Sequence, residues 1–370
     1  MNKSIFNSVR FAAIVLAGSV ALSACKKDKM KEPVGDPLPK STLGVYVLSE
    51  GAFGQANNSS ITYYDIASKA VDKNYFKTKN GIDLGTSASD LKQYGSKMYC
   101  VITGNKDGEN DSYLEVINIA TGKSIKRIPF YNASGDFSPR YIIFNKNKAY
   151  VSGYDGNISR LDTTSLTIEA RVNVGAALEE MAIVNNKLYV ANSDNFQYPS
   201  PNNASVSVVD LATFTKTKEI AVGHNPTRIS ANTAGELFVV SKGKYQEIDP
   251  SLDKINTVTD TKVSSTKMSL EFLRITGDQS FVIGDYTNPF LKTINTTTGA
   301  LVSDFIADGT AIAGPYGATV NTLDRSVLIS DHNNYAAEGK AYVFNAQGAK
   351  QIEFVTGAFP QSAVFNYSYK

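Results

Sequence analysis

The sequence predicts an all-β fold, a seven-bladed β-propeller over residues 44–370. Three observations predict it: a short strand pattern recurs, a second strand ending in Asp or Asn follows each copy, and a third segment precedes it about every 45 residues. Self-similarity at such a period is typical of repeat folds, and four short strands per repeat are typical of propeller blades. No helical periodicity of useful length competes with this pattern.

The first recurring segment is a turn residue followed by an aromatic and β-branched run, a composition that favours strands. Its copies begin at residues 44, 97, 148, 187, 236, 279 and 325. The second segment ends in a turn-forming Asp or Asn, at Asp65, Asn118, Asp162, Asp210, Asp249, Asn295 and Asn345. We predict that these segments are the second and third strands of each blade.

The third segment is predicted to be the innermost strand, with starts at residues 88, 139, 178, 226, 270, 315 and 360. The last copy has no blade after it, and the strand at 45–48 has no innermost strand before it. We therefore expect the two chain ends to complete one blade, which removes an exposed edge pair. The alternative, a two-domain β-sandwich, does not require seven copies of one pattern.

The N-terminus carries the features of a secretory signal peptide. Lys3 and Arg10 precede a short apolar run, which ends in Leu22-Ser23-Ala24-Cys25. The run is too short to span a bilayer, which takes roughly 20 residues as a helix, and the flanks are those of a signal peptide. Cys25 resembles the acylated cysteine of bacterial lipoproteins. We expect residues 1–24 to be removed and Cys25 to anchor the chain in the membrane by lipid alone.

Residues 25–43 are expected to be a flexible tether, since they are charged and rich in proline. The run Cys25-Lys26-Lys27-Asp28-Lys29 resembles the leader of Bacteroidetes lipoproteins that are exported to the cell surface. The resemblance implies an outer-membrane protein exposed on the surface.

Composition excludes several classes of function. Removing residues 1–24 takes Lys3 and Arg10 from a chain with formal net charge +2, so the remainder is neutral and is not expected to bind nucleic acid. Cys100 lies in an apolar strand pattern, which favours a buried small residue over a nucleophile. Two histidines without a clear carboxylate cluster do not predict a metal site. We expect no cofactor.

Loop lengths predict a working face. Connections from the second to the third strand and from blade to blade are the longer ones, and both lie on one face of the disc, where binding residues usually concentrate. Aromatic, basic and acidic side chains are abundant there and suit a bulky ligand that is partly apolar. The candidate ligand-binding residues are Glu50, Phe53, Tyr131, Phe137, Arg140, Tyr154, Phe196, Tyr198, His224, Arg228, Tyr286, Tyr316, His332, Tyr335 and Phe359. Arg140 and Arg228 begin innermost strands and should point towards the channel mouth.

The repeat resembles that of YVTN-type seven-bladed propellers, with residues 188–192, Leu-Tyr-Val-Ala-Asn, as its nearest copy. Residues 49–54, Ser-Glu-Gly-Ala-Phe-Gly, are similar to the opening motif of YncE-like propeller lipoproteins of Bacteroidetes. That resemblance implies a surface protein that captures cobalamin or another corrinoid and passes it to a TonB-dependent transporter. Its motifs do not identify the ligand.

Two other functions stay open at this point. One is a protein-binding scaffold in a surface complex. The other is an enzyme, such as a lactonase-like propeller, although no catalytic constellation is apparent. A quinoprotein is disfavoured because the chain contains no Trp.

Overall fold

The computed structural model describes residues 38–105, 110–175 and 177–369. The predicted signal peptide, Cys25 and the tether as far as residue 37 lie outside the described residues. Within them, the strands form seven four-stranded sheets and one small hairpin. The predicted seven-bladed β-propeller is confirmed.

Each sheet is one blade, and blades are numbered along the chain. Blade 1 combines β1 (Pro39–Ser49), β2 (Ser60–Asp65) and β3 (Val71–Asp72) with a C-terminal strand described below, and is followed by α1 (Tyr75–Asn80). Blade 2 contains β4 (Ala88–Tyr94), β5 (Lys97–Ile102), β6 (Tyr113–Asn118) and β7 (Ser124–Pro129), and is followed by the hairpin of β8 (Tyr131–Asn132) and β9 (Gly135–Asp136). Blade 3 contains β10 (Pro139–Asn145), β11 (Lys148–Gly153), β12 (Asn157–Asp162) and β13 (Thr167–Asn173). Blade 4 contains β14 (Leu178–Val184), β15 (Lys187–Asn192), β16 (Ser205–Asp210) and β17 (Thr215–Ala221).

The remaining blades follow the same order from the channel outwards. Blade 5 contains β18 (Pro226–Ala231), β19 (Leu237–Ser241), β20 (Ser251–Asn256) and β21 (Thr261–Lys267). Blade 6 contains β22 (Leu270–Thr276), β23 (Gln279–Gly284), β24 (Leu291–Ile294) and β25 (Leu301–Asp304). Blade 7 contains β26 (Pro315–Val320), β27 (Val327–Asp331), β28 (Lys340–Phe344) and β29 (Lys350–Val355), and β30 (Pro360–Tyr369) closes blade 1.

The chain ends meet in blade 1, as predicted. The C-terminal strand β30 is innermost and pairs antiparallel with β1. The first residues of the seven innermost strands coincide with the seven predicted starts. The predicted tether boundary differs, because β1 begins at Pro39 rather than at residue 44. Its first residues continue the pairing with β30, with Pro39 opposite Tyr369 and Thr42 opposite Tyr367.

The core lies between neighbouring blades. Tyr99 and Val101 from the second strand of blade 2 pack with Ile142 and Val151 of blade 3 in one buried cluster. Second strands are buried on both faces, so they are nearly continuous apolar runs rather than alternating ones. Outermost strands are largely exposed, as in β21.

Connections differ strongly between the two faces of the disc. Those on one face are two to six residues long, whereas those on the other reach fifteen residues, between β3 and β4. We call the second surface the long-loop face. Not every connection on it is long, since β11 and β12 are separated by three residues.

Candidate functional site

A β-bulge recurs at the start of every innermost strand. In each of the seven described blades the register to the second strand shifts directly after the first residue of the innermost strand. A bulge re-aims side chains and is frequent beside functional sites. The second residue of each strand lies at this shift, and we call the set the bulge ring: Ser89, Arg140, Glu179, Thr227, Glu271, Tyr316 and Gln361.

A second ring is formed by the residue directly after each second strand, where the chain leaves the sheet on the long-loop face. Its members are Glu50, Thr103, Tyr154, Ser193, Lys242, Asp285 and His332. The two rings touch across blade boundaries. The Tyr154 hydroxyl donates to Glu179 Oε1 at 2.7 Å, and Lys242 forms an ion pair with Glu271.

The rings enclose a cavity of about 150 Å³ at the mouth of the central channel. We call this cavity the mouth. Its lining combines three carboxylates, three cations and several neutral polar groups: Glu50, Arg140, Tyr141, Glu179, Thr227, Arg228, Lys242, Glu271, Tyr316 and Gln361. Four predicted candidates therefore converge there, namely Glu50, Arg140, Arg228 and Tyr316, and Tyr154 contacts the mouth through Glu179.

Arg140 is held in place by its neighbours. Its Nε lies 3.3 Å from Glu179 Oε2, and its guanidinium carbon lies 4.7 Å from the centre of the Tyr154 ring. Burial alone would lower the pKa of Arg140, but Glu179, Tyr154 and Glu50 together outweigh it and raise that pKa. Burial and the Glu179 carboxylate raise the pKa of Tyr154. Arg140 and Glu179 therefore form an ion pair, and the neutral Tyr154 hydroxyl donates to the same carboxylate.

Glu50 is in a different situation. Tyr316 donates its hydroxyl proton towards Glu50 Oε2 at 3.4 Å, and the described residues place no cation within 4 Å of the carboxylate. Burial raises the pKa of Glu50, while Arg140 and the Tyr316 hydrogen bond oppose the shift. The Glu50 carboxylate in turn contributes most to raising the pKa of Tyr316.

We expect Glu50→Gln to raise the free energy of unfolding at neutral pH. A carboxyl whose pKa is raised by folding contributes stability that is present below its unfolded value, about 4.5, and lost as pH rises through the folded value. The gain should therefore shrink as pH falls towards 4.5, in urea unfolding followed by circular dichroism. Glu247→Gln, at an exposed glutamate, is the control. A pH-independent gain, or a loss, would contradict the prediction.

Four predicted aromatic residues form one cluster beside the mouth, which we call the aromatic shelf: Tyr316, His332, Tyr335 and Phe359. Tyr316 belongs to both the mouth and the shelf, and its ring centre lies 5.7 Å from that of His332. The ring centre of His332 lies 4.4 Å from that of Tyr335, a residue that is 67% exposed. The Tyr335 amide donates to His332 Nδ1 at 3.2 Å, which places the proton of the neutral ring on Nε2.

The other predicted candidates lie away from the mouth. Phe53, Phe196 and Tyr286 are exposed on the long-loop face, and Tyr131 lines a cavity of about 440 Å³ between blades 1 and 2. The Tyr198 ring packs against that of Tyr154 at a tilt of 32°, and its hydroxyl lies 2.6 Å from that of Ser138.

Two candidates are occupied by contacts within the protein. Phe137 is only 8% exposed, because it packs on Phe130 and under the Arg171 guanidinium. His224 Nδ1 lies 3.1 Å from the Gly243 carbonyl oxygen, and its Nε2 lies 3.3 Å from Asp194 Oδ2. Neither ring nitrogen of His224 is free for a ligand.

Several residues of the mouth are absent from the predicted set. Thr227, Gln361, Glu179 and Glu271 share one position, directly after the first residue of an innermost strand, and Lys242 follows a second strand. Position in the repeat is the signal that identifies them. Glu50 does not share the register of Glu179 and Glu271, although all three carboxylates reach the same cavity.

The described residues contain no group of three or more His, Cys, Asp or Glu side chains placed to hold a metal ion. No helix in this part of the chain is long and apolar enough to cross a membrane.

Comparison with known proteins places the chain in a family and a fold. The family described as "Domain of unknown function (DUF5074)" matches residues 43–366. No curated protein matches. A quinonprotein alcohol dehydrogenase-like protein from Bacteroides thetaiotaomicron is similar in structure, with a TM-score of 0.63, 14% identity, and coverage of 88% of this chain and 78% of that one.

A putative 6-phosphogluconolactonase from Bacteroides uniformis gives the same TM-score, 0.63, at 10% identity, with 88% of this chain and 100% of that one covered. Dihydro-heme d1 dehydrogenase NirN gives 0.53 at 11% identity, with 90% and 78% covered. At such identities the likeness shows the fold alone.

Proposed function

The chain belongs to the DUF5074 family, and we propose that it is a non-catalytic capture protein that binds a bulky small molecule on its long-loop face. In this proposal Cys25 anchors it by lipid to the outer membrane, with the propeller at the cell surface, and it delivers the molecule to a TonB-dependent transporter. A corrinoid is the candidate ligand that we favour.

The observation that carries the proposal is the junction of shelf and mouth at Tyr316. Tyr316 contacts His332 and Phe359 on one side and Glu50 on the other. A flat ligand can therefore lie on aromatic rings while one of its edge groups reaches polar side chains. This combination of apolar area and a few placed polar groups is typical of small-molecule sites.

The dimensions favour a ligand that lies across the face rather than inside the channel. The mouth, about 150 Å³, accommodates one substituent of a macrocycle, not the ring itself. The cleft between blades 5 and 6, about 660 Å³, adds further area beside the mouth and carries exposed Tyr245 and Tyr286. Nδ1 of His332 accepts from the Tyr335 amide, so the proton of the neutral ring is on Nε2, and we propose that Nε2 donates to a ligand oxygen rather than binding a metal.

We propose binding without catalysis because the side chains that line the mouth do not form a recognisable catalytic set. Its described lining contains neither histidine nor cysteine, and Lys242 and Arg140 are each engaged by a glutamate. Nucleophilic catalysis usually requires an activated nucleophile beside a general base. The hydroxyls that lie against carboxylates here belong to Tyr316 and Tyr154, and both tyrosines have raised pKa values, which disfavours the nucleophilic phenolate.

We expect the full-length chain, purified in detergent, to bind cyanocobalamin with micromolar affinity or better in calorimetry. Tyr335→Ala should weaken binding about tenfold, equivalent to about 1.4 kcal/mol, since it removes an exposed ring of the shelf. Tyr369→Ala, at the opposite end of the channel-lining β30, is the matched control and should bind normally.

Absence of heat and of any spectral change at tens of micromolar protein would overturn the corrinoid assignment. Equal weakening by both tyrosine variants would overturn the shelf as the binding surface. Retention of a transporter partner regardless of corrinoid would favour the scaffold alternative.

A further inference from the structure

Arg228 differs from the other two cations of the mouth. Arg140 is paired with Glu179 and Lys242 with Glu271, whereas the Arg228 side chain forms no ion pair or hydrogen bond with any described residue. Its Nε is buried without an acceptor. An arginine removed from water normally has its charge balanced and its donors satisfied. The unpartnered donor of Arg228 is therefore suited to an acceptor supplied from outside the chain.

The guanidinium is nevertheless fixed in position. It lies over the ring of Tyr141 at 5.3 Å and over that of Phe272 at 6.0 Å. Aromatic faces attract a cation without using its N–H donors, so the guanidinium N–H groups of Arg228 stay available to a ligand. Burial lowers the pKa of Arg228, and the positive charges of Arg140 and Arg274 lower it further. An anion placed there relieves this repulsion.

The same strand supplies a second donor. The Thr227 hydroxyl precedes Arg228 in the lining of the mouth, and its Oγ1 is buried without a partner among the described residues. A planar guanidinium fork beside a hydroxyl is suited to an oxyanion, which can accept two parallel N–H bonds and one O–H bond.

The carboxylates of the mouth limit the charge of that anion. Glu50, Glu179 and Glu271 line the same cavity, so a second negative charge on the ligand would face like charges at short range. Arg228 is the cation of the mouth without an ion-pair partner among the described residues, so a singly charged group can pair with it while adding only one negative charge beside Glu50.

The route out of the mouth is also visible. Lys242 and Glu271 line both the mouth and the larger cleft of about 660 Å³ between blades 5 and 6. Tyr245 and Tyr286 are exposed in that cleft. A ligand can therefore place a small anionic head in the mouth and extend its body over these tyrosines.

We propose that Arg228, with Thr227, is the anchor for a singly charged oxyanion of the ligand, either a carboxylate or a phosphodiester. The inference rests on the proposed function, because it names the chemical group by which the long-loop face recognises its small molecule. The proposal requires no catalysis. Arg140 and Lys242 have a structural role in it, since each is held in an ion pair with a glutamate.

The test uses 4-fluorobenzoate as probe, with 4-fluorobenzamide as its neutral counterpart, in ¹⁹F NMR line-broadening on the full-length chain. The benzoate signal should broaden and the benzamide signal should not. Arg228→Gln should weaken benzoate binding at least tenfold, with Arg228→Lys intermediate because a lysine has charge but no fork. Arg325→Gln, an exposed arginine paired with Asp278 in a short turn of the opposite face, is the matched control. Thermal unfolding checks that every variant is folded.

Dimethyl phosphate distinguishes the two sources of the anion, since displacement of the benzoate identifies a site that also accepts phosphodiesters. Equal broadening of acid and amide, or unchanged benzoate binding by Arg228→Gln, would overturn the anchor. Corrinoid binding measured in parallel separates the two proposals. If wild type and Arg228→Gln bind the corrinoid equally, the anchor fails and the capture function stands.

Discussion

A chain that ends at Phe359 is expected to lose its cooperative fold. The deletion removes β30, the innermost strand of blade 1, and with it the pairing that joins the two ends of the ring. Val364 packs in the cluster between blades 1 and 2, and Ala363 and Phe365 pack in the cluster between blades 7 and 1. The deletion therefore opens the ring. It also removes the side chains that β30 contributes to the hydrophobic clusters on both sides of blade 1.

The magnitude follows from these contacts. Truncating one buried Phe costs about 3–5 kcal/mol, and the deletion removes a whole strand in addition to Phe365. Domains of this kind are stable by roughly 5–15 kcal/mol, so we expect no cooperative unfolding transition at 25 °C. The exposed edge of β1 then offers unpaired backbone groups to other chains, which predicts aggregation.

The measurement is thermal and urea unfolding by circular dichroism, with size-exclusion chromatography for association. The control ends at Ser368, which removes only the last two residues and leaves Val364 and Phe365 in place. This control should unfold close to wild type. A monomeric truncated chain with a native-like transition would contradict the prediction and would mean that the other six blades are stable as an open arc.

The fold could be predicted from the sequence because each blade repeats a local signal. Pro139, Pro226, Pro315 and Pro360 begin innermost strands. The first three are each followed by a short turn and a second strand, whereas the second strand that pairs with the last is β1 at the other end of the chain. Proline is tolerated at the first position of a strand, where its missing N–H costs no ladder bond. Because the signal recurs in every blade, a weak copy such as Arg325-Ser326-Val327-Leu328 can still be recognised by its position in the repeat.

The boundary at residue 44 could not be placed from composition. Lys40, Ser41 and Thr42 are polar and follow a charged stretch, which is the pattern of a linker. In the structure they extend β1 along β30, where pairing uses backbone groups and the side chains stay largely exposed. A strand that buries no apolar face has no hydrophobic pattern to reveal it.

The mouth could be predicted only in part, since its residues are brought together by the ring rather than by sequence. Arg140 and Arg228 could be identified from the sequence, because they are charged residues at the start of innermost strands. Thr227 and Gln361 could not, because they share a position and a bulge but no residue type. A bulge is defined by the pairing of two strands, so one strand's sequence does not disclose it.

Loop membership likewise does not determine exposure. Phe53 and Phe137 both belong to connections on the long-loop face, yet Phe53 is 93% exposed and Phe137 is buried. The difference arises because the β8–β9 hairpin folds back over blade 2 and carries Phe137 onto Phe130. Only the packing of that hairpin distinguishes the two.

Arg127→Met is expected to destabilise the protein strongly through its partner Glu115. Glu115 is fully buried in β6, and Arg127 lies directly opposite it in β7, with Nε 2.7 Å from Glu115 Oε2. The same guanidinium stacks 4.0 Å above the Tyr113 ring and donates to the Asp83 carbonyl oxygen at 3.2 Å. Methionine fills similar space but leaves the buried carboxylate facing only the Ser124 hydroxyl.

Removing one partner of a buried ion pair typically costs about 3–5 kcal/mol, because the remaining charge is uncompensated. We expect a loss near the lower figure, since the Arg127 side chain is itself partly exposed. The measurement is the free energy of urea unfolding. Arg325→Met, which removes the exposed partner of Asp278, is the matched control and should cost less than about 1 kcal/mol.

The double variant Glu115→Leu, Arg127→Met decides whether the penalty comes from the stranded charge. Replacing both members of a buried pair by apolar groups is often neutral or stabilising, so the double variant should recover most of the loss. If it is as unstable as Arg127→Met alone, the cost lies instead in the stacking on Tyr113 and the bond to Asp83. The pair would then matter chiefly as the support that holds blade 2 against the segment leading from blade 1.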